Sequence, residues 1–275
     1  MSLVHLVALM VMALAPAERL SAPVSTPLQE ADAVMQCQTW WHDMDVNGGA
    51  AAAVVAGNGL CINGFIDKGR DAVILESLGK TSSEVPLVVV IRSGGGDFDA
   101  SMNVAEALQR RRPTVIADMV CASSCSDYII TAGVRRIVRA DTFLVYHGGI
   151  TLRLLDDAGP QIEALAKADP KIKYDAAMAH MRDVIGAQMA RQDSFMVRAG
   201  VDPKIFAWMD EANSKSGEAI ASRCPADSHI IQYSREALAR FGLTFDEYGA
   251  PRSQAEVDAL LHKLGRQSKI CYWQE

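Results

Sequence analysis

The apolar and polar positions between residues 87 and 147 switch repeatedly between two periods. Three short apolar runs have the length and β-branched composition of buried strands, and they span Leu87–Ile91, Thr114–Ala117 and Thr142–Tyr146. Helical patterns separate them, the first with Ala100, Val104 and Leu108 on one face and the second from about Ser124 to Ala132. Strands that alternate with helices in this way predict an α/β fold with a parallel sheet and right-handed crossovers.

Structure-breaking residues mark the ends of these elements and bring polar chemistry with them. Gly94, Gly95 and Gly96 follow the first strand, where they allow a tight turn with exposed N–H groups. Gly133 ends the second helix, and His147 directly follows the third strand. Ligands of a parallel sheet gather at the carboxyl ends of its strands. We therefore expect the glycine turn, the serine-containing helix start and the histidine to lie together.

The remaining part of the chain is mainly helical and carries no chemical motif. Glu163–Arg198 has methionines at helical spacing, which favours a core or subunit-contact helix. Leu152–Pro160 is predicted to be a loop, and a short helix is predicted after Asp202-Pro203. The C-terminal tail has the pattern of an amphipathic helix through Leu264.

Composition and charge argue against several classes of function. The 275 residues are 49% hydrophobic, carry a formal net charge of −6 and contain no long basic run. This is enough for the core of one large domain and does not indicate a nucleic-acid partner. The sequence has no zinc-protease motif, and its glycine turn lacks the third glycine of a dinucleotide fingerprint. We therefore expect neither a metal ion nor an organic cofactor.

The first seventeen residues have the pattern of a secretory signal peptide. Leu3–Ala15 is nearly all apolar but shorter than the roughly 20 residues that span a bilayer. Ala15-Pro16-Ala17 has the small-x-small form of a signal-peptidase site. We expect cleavage after Ala17 and a periplasmic or secreted protein. Because no Lys or Arg precedes the apolar run, an uncleaved anchor or a different start codon is the alternative.

The chain after Ala17 divides into three parts. They are an N-terminal extension (18–55), one α/β domain (56–250) and a helical tail (251–275).

The six cysteines fit an exported protein, because oxidising compartments favour disulfides. They are Cys37, Cys61, Cys121, Cys125, Cys224 and Cys271, and six cysteines allow 15 connectivities. Their positions near the two termini favour pairing Cys37 with Cys61 and Cys224 with Cys271. Cys121 and Cys125 lie four residues apart at a turn, where they can bridge if their Cα atoms come within about 7 Å.

Two serine hydroxyls lie between Cys121 and Cys125, at a predicted helix start. A serine at such a place is exposed and lies at the positive end of a helix dipole, which suits a nucleophile once a base takes its proton. Serine is also a common N-cap residue, so Ser123 and Ser124 each have a purely structural alternative. His147 is the candidate base, and its alternative is a hydrogen-bonded core histidine.

These motifs together resemble the proteolytic subunit of the Clp protease, whose fold is shared with the enoyl-CoA hydratase (crotonase) superfamily. The resemblance rests on the sequence SGGG after a strand and on two spacings. Ser124 lies nine residues before Gly133, and His147 lies 23 residues after Ser124. It extends upstream to CINGFI at Cys61–Ile66 and downstream to SREALARFGL at Ser234–Leu243. The chain departs from the family in having cysteines on both sides of the serines and about a dozen extra residues after the histidine.

The resemblance implies roles for individual residues. It makes Ser124 the nucleophile, His147 its general base and Asp210 the third member of the triad. The backbone N–H groups implied for the oxyanion hole belong to Gly95 or Gly96 and to Cys125, which follows the nucleophile.

The resulting prediction is an exported serine peptidase or hydrolase that acts on peptide or protein substrates through an acyl-enzyme. The family's ring assemblies imply a homo-oligomer. No ATPase partner is expected, because Clp-type unfoldases need cytosolic ATP. Two alternatives stay open, a crotonase-like enzyme acting on an acyl-CoA and a non-catalytic assembly or binding protein that kept the fold and lost the triad.

Overall fold

The fold is α/β, with a mostly parallel mixed sheet between two layers of helix. The computed structural model describes residues 24–47, 49, 51–214 and 230–274. The helices are α1 Pro27–Asn47, α2 Arg70–Gly79, α3 Phe98–Arg111, α4 Arg153–Ala168, α5 Tyr174–Arg198, α6 Lys204–Ser214, α7 Arg235–Ala239 and α8 Gln254–Lys263. The strands are β1 Ala53–Ala56, β2 Gly59–Asn63, β3 Val88–Ser93, β4 Thr114–Ala122, β5 Arg135–Val138, β6 Phe143–Val145, β7 Ile230–Tyr233, β8 Glu247–Tyr248 and β9 Ile270–Trp273.

Seven of these strands form the main sheet. Its order is β1-β2-β3-β4-β5-β8, and β6 also pairs with β4. Only the β1–β2 hairpin is antiparallel; the other pairs in this sheet are parallel. Strands β7 and β9 form a separate parallel pair, which a backbone bridge between Tyr146 and Ile231 joins to the end of β6. The predicted α/β class is therefore confirmed, and the sheet is mostly parallel.

Strand β4 is shared between two neighbours, and this positions the site. Its first half, Thr114–Ala117, pairs with β5, whereas Val120–Ala122 pairs with β6. The register with β3 shifts at the same place, so Ile91 faces Ala117 but Ser93 faces Cys121. The end of β4 is thereby carried next to the ends of β3 and β6, the two other elements that deliver polar residues.

The core lies on both faces of the central strands. Successive residues of a strand point to opposite faces. In β3, Val88 and Val90 pack with α1, whereas Val89 and Ile91 belong to the larger core beneath α2 and α3. All four side chains are fully buried. Burial on both faces explains why this strand is a continuous apolar run rather than an alternating one.

The helix of the N-terminal extension packs on the core. Helix α1 places Ala33 and Trp41 in the cluster beneath β3, and Trp41 is only 2% exposed. A disulfide joins Cys37 of α1 to Cys61 of β2. The helix is thus fastened both covalently and by apolar burial.

One predicted loop is helical in the structure. Leu152–Pro160 is predicted to be a loop, but α4 begins at Arg153 and continues through Gly159-Pro160 to Ala168. The apolar positions Leu155, Ala158 and Ile162 keep helical spacing on both sides of the proline. The long pattern predicted over Glu163–Arg198 therefore belongs to two helices, α4 and α5, which pack against each other.

The described helices do not include a membrane span: within residues 24–47, 51–214 and 230–274, none is both long and apolar enough. The predicted signal peptide, residues 1–17, lies outside the described residues.

Candidate active site

A pocket of about 500 Å³ opens where β3, β4 and β6 end. The three features that the sequence placed at strand ends all contribute to its wall. The glycine turn supplies Gly96, the helix start supplies Ser123 and Ser124, and the strand end supplies His147. The expectation that these groups lie together at the carboxyl edge of the sheet agrees with the arrangement observed.

The serine turn is held against the strand that ends in the histidine. Ser123 has a φ of 56°, a left-handed conformation that few non-glycine residues adopt and that is enriched at functional sites. Its N–H donates to the carbonyl of Val145 at 3.0 Å, and the hydroxyl of Ser126 donates to the same carbonyl at 2.7 Å. Because Val145 lies two residues before His147, these bonds set the position of the serine relative to the imidazole.

His147 is hydrogen-bonded to Ser123. The bond joins the Oγ of Ser123 to the Nε2 of His147. The serine is partly exposed and the histidine exposed, and both line the pocket. A base in direct contact with a hydroxyl can take its proton as the oxygen attacks a carbonyl. Ser123 and His147 therefore make the contact that a nucleophile and its general base require.

Ser124, which was predicted to be the nucleophile, has a different environment. It is only 4% exposed. Its hydroxyl accepts a hydrogen bond from the hydroxyl of Ser101 at 2.9 Å and donates to the carbonyl of Gly96 at 3.2 Å. The structure gives no hydrogen bond between Ser124 and His147, both of which it describes. Ser124 instead connects the helix start to α3 and to the glycine turn.

A π-helical turn accounts for this one-residue difference. The segment Cys125–Ile129 is π-helical, and the N–H of Ile130 donates to the carbonyl of Cys125 at 3.0 Å. A π turn takes more residues than an α turn. Counting nine residues back from Gly133 assumes a regular helix, so the additional residue moves the hydroxyl at the helix start from Ser124 to Ser123.

Gly95 allows the glycine turn to approach the serine turn closely. A Cβ atom at this position would lie 2.5 Å from the carbonyl oxygen of Ala122 and 2.7 Å from the Cβ of Ser123. Its φ of +90° is also unfavourable for other residues. The N–H of Gly95 donates to the Oγ of Ser93 at 3.0 Å. Gly95 is therefore a spacer in this turn, and its N–H is already engaged.

Two other backbone donors are better placed to form an oxyanion hole. Gly96 is exposed in the pocket, and Ser124 directly follows Ser123. Within the described part of the chain neither N–H donates a hydrogen bond, as expected for Ser124 because the first N–H groups of a helix have no intrahelical acceptor. Cys125, the donor predicted to act with the glycine, is buried and does not line the pocket.

Asp210, the predicted third member of the triad, lies in the pocket wall but contacts another residue. Its Oδ2 accepts a hydrogen bond from the hydroxyl of Thr151. Both Asp210 and His147 are described, and the structure gives no hydrogen bond or ion pair between them. The carboxylate thus stabilises the loop that follows the histidine rather than contacting the imidazole.

A buried glutamine that the sequence analysis missed supports the same loop. Gln192 of α5 is 2% exposed. Its Oε1 accepts hydrogen bonds from the hydroxyl of Tyr128 at 2.6 Å and the N–H of Ile150 at 2.8 Å, and its Nε2 donates to the carbonyl of Ile150 at 3.1 Å. The available signal was a polar residue on the apolar stripe that includes Ile185 and Met196.

The sequence analysis also missed a buried acid. Asp127 lines the pocket and is 3% exposed, and its Oδ1 has no hydrogen-bond partner among the described residues. Burial raises the pKa of this carboxyl well above its usual value. The signal for it was an acidic residue within an otherwise largely apolar helical segment.

The disulfides support the predicted compartment. Cys121 and Cys125 are bonded across the serine turn, and Cys37 and Cys61 are bonded as predicted. Cys271 is also disulfide-bonded; its predicted partner, Cys224, lies outside the described residues. Two disulfides of this kind indicate an oxidising environment.

No protein-family model matches the chain, and no curated protein matches it either. The functional interpretation consequently depends on the geometry of the site.

Proposed function

We propose that this protein is an exported serine hydrolase, similar in its chemistry to the Clp proteolytic subunit, with Ser123 as nucleophile and His147 as general base. The hydrogen bond between Ser123 Oγ and His147 Nε2, inside an open pocket, is the observation that supports it. The sequence resemblance assigned the nucleophile to Ser124. The proposal moves this role by one residue, because Ser124 is buried and bonded to Ser101 and Gly96.

The proposed mechanism is acyl transfer. As Ser123 Oγ bonds to the carbonyl carbon of a peptide, His147 Nε2 takes the hydroxyl proton and then gives it to the leaving amine. The N–H groups of Gly96 and Ser124 would stabilise the negative oxygen of the tetrahedral intermediate. Water, activated by the same imidazole, then hydrolyses the acyl-enzyme and restores the serine.

The broader assignment has separate support. The order of strands and helices is compatible with a Clp or crotonase-like fold. The disulfides and the apolar leader support a periplasmic or secreted protein whose signal peptide is cleaved after Ala17. Exposed apolar side chains at Leu152 and Leu165, in and beside α4, are compatible with a homo-oligomer. We propose peptides or proteins as substrates, with no ATPase partner.

One observation favours the non-catalytic alternative. Asp210 accepts its hydrogen bond from Thr151, so the residue implied as the third triad member does not orient His147. Losing Asp210 from the triad does not remove the catalytic chemistry, because the base and the oxyanion donors contribute on their own. We therefore retain the hydrolase as the main proposal.

A fluorophosphonate probe tests this proposal directly. We expect covalent labelling of Ser123, identified by mass spectrometry of the labelled peptide. Labelling should be absent in Ser123→Ala and at least about 100-fold slower in His147→Ala, the range that general-base catalysis provides. Ser124→Ala is the matched control and should still be labelled. Loss of labelling in Ser124→Ala with retention in Ser123→Ala would restore the original register, and a folded protein that never reacts would favour the non-catalytic alternative.

A further inference from the structure

Asp127 is a buried carboxyl in the pocket that the proposed mechanism does not use. It lies in the π-helical turn, and its N–H donates to the carbonyl of Ser123 at 2.8 Å, so it is one helical turn from the nucleophile. Its side chain is part of the pocket wall, yet Oδ1 makes no hydrogen bond within the described part of the chain. Buried carboxyls normally have a hydrogen-bond or charge partner.

The groups around Asp127 do not compensate its charge. Burial and the charge of Asp127 together raise the pKa of three buried phenols, those of Tyr128, Tyr146 and Tyr233. The hydroxyl of Tyr128 donates to Gln192, and the other two hydroxyls have no partner among the described residues. No described Lys or Arg forms an ion pair with this carboxyl. Asp127 thus lies among buried phenols, and its Oδ1 has neither a hydrogen-bond partner nor a cation beside it within the described residues.

Acidic groups outnumber basic ones along the pocket wall. Three carboxyls line it, those of Asp127, Asp157 and Asp210, against one guanidinium, that of Arg153. Apolar surface lies beside them, since the ring of Phe98 packs edge-on to that of Tyr128 with 5.6 Å between centroids. A pocket of this size, with apolar walls and a few convergent polar groups, has the character of a small-ligand site.

We propose that Asp127 determines the specificity of this pocket by binding a primary ammonium group of the substrate close to the scissile carbonyl. The proposal rests on the proposed function, because it takes Ser123 as the reacting group. An ammonium would provide the missing charge partner and would donate a charge-assisted hydrogen bond to the unpartnered Oδ1. The ammonium could belong to a lysine side chain or to a free α-amine, since both present the same group.

Ligand binding to Ser123→Ala tests the inference without any catalytic step. The probes are Nα-acetyl-lysine amide and its neutral isostere Nα-acetyl-norleucine amide for the side-chain source, and leucine amide and Nα-acetyl-leucine amide for the α-amine source. Titration calorimetry should give at least about tenfold tighter binding for the ammonium member of one pair, and that pair identifies the source. Equal affinities within both pairs would overturn the proposal.

The carboxyl itself is tested in Ser123→Ala/Asp127→Asn. The preference for the ammonium ligand should fall to within about twofold of the neutral one, whereas Ser123→Ala/Asp157→Asn should keep it. A preference that persists without the Asp127 carboxyl would contradict the assignment.

A second readout uses Ser123→Ala alone and does not depend on whether the Asn variant folds. Burial raises the pKa of Asp127 and a bound ammonium would lower it again, so ammonium binding should release a proton when the pH lies between the raised and the lowered value. Calorimetry in two buffers of different ionisation enthalpy should then detect proton release on ammonium binding, with none for the neutral ligand. Binding without proton release would count against Asp127. Failure of fluorophosphonate labelling in the unmodified protein would reject the hydrolase chemistry but leave these binding results intact.

Discussion

The disulfide between Cys121 and Cys125 spans the turn that contains Ser123, with 5.2 Å between the two Cα atoms. Cys121 is in β4 and Cys125 begins the π-helical turn, so the bond joins the strand directly to the helix that follows it. Between them, Ser123 has its left-handed backbone conformation. The covalent link therefore restricts the segment whose shape directs the serine hydroxyl towards the histidine.

Removing this disulfide should affect reactivity more than stability. In Cys121→Ala/Cys125→Ala, chain entropy for so short a loop predicts a loss of about 2 kcal/mol in the free energy of unfolding. We expect fluorophosphonate labelling of the folded variant to slow by at least about tenfold, because the serine turn is no longer restrained. Urea unfolding and labelling rates measure the two effects.

The other disulfide provides the matched control. Cys37 and Cys61 are 24 residues apart, so their disulfide closes a longer loop. For Cys37→Ala/Cys61→Ala the chain-entropy relation therefore predicts a larger loss in the free energy of unfolding, about 3.5 kcal/mol. Its labelling rate should stay within about twofold of the unmodified protein, since α1 lies on the opposite face of the sheet from the larger core. Equal loss of labelling in both variants would show that the effect is general instability.

Gly95→Ala should disrupt the site through a steric clash. The new Cβ would lie 2.5 Å from the Ala122 carbonyl oxygen and 2.7 Å from the Ser123 Cβ, so one of the two turns must move. We expect labelling to fall by at least about 100-fold, because a displacement of about 1 Å is enough for such a loss. Gly69→Ala is the control, because its φ of +101° is similar but nothing lies within 4 Å of the added atom. Similar labelling rates in the two variants would contradict the packing argument.

The Gln192 hydrogen bonds should matter for the loop that follows His147. Gln192→Leu leaves the hydroxyl of Tyr128 and both backbone groups of Ile150 without this partner, and unsatisfied buried groups cost about 1–3 kcal/mol each. We expect a loss of roughly 2–4 kcal/mol in urea unfolding and slower labelling. Gln188→Leu, one turn earlier on α5, is the control: Gln188 is only half-buried and its one hydrogen bond is to an exposed carboxylate, that of Asp99, so stability should change by less than about 0.5 kcal/mol. Unchanged labelling in a folded Gln192→Leu protein would show that the loop does not need this support.

The fold could be predicted where the signals were local. The apolar run at β3, the periodic face of α3 and the strand before His147 each depend on a few neighbouring residues, and the structure has elements at all three places. The grouping of the glycine turn, the serines and the histidine then followed from the geometry of a parallel sheet. These parts of the prediction needed no knowledge of long-range contacts.

The identity of the serine that contacts His147 could not be predicted in this way. It depends on the π turn at Cys125–Ile129 and on the hydrogen bonds that Val145 accepts, neither of which leaves a local pattern. Counting along a regular helix selected Ser124, and the tertiary structure brings Ser123 to the base. The assignment of Asp210 had a similar origin, because it used an alignment register rather than a contact.

The pH dependence of stability gives a test of Asp127 that is independent of any ligand. Its pKa is raised in the folded protein by burial, whereas in the unfolded chain it should titrate near the usual value of about 3.9. As pH rises above that value, the unfolded chain loses the proton while the folded protein keeps it. The unfolded state therefore binds fewer protons, and this residue lowers stability by about 1.4 kcal/mol per pH unit until its folded pKa is reached. Asp127→Asn removes the titration, so its stability relative to the unmodified protein should increase as the pH rises above about 4. Urea unfolding at a series of pH values measures this difference.

Asp157→Asn, at an exposed position in the same pocket, is the control for a general change of charge. A stability difference for Asp127→Asn that does not vary with pH would show that this carboxyl is ionised in the folded protein, and would require a charge partner for it.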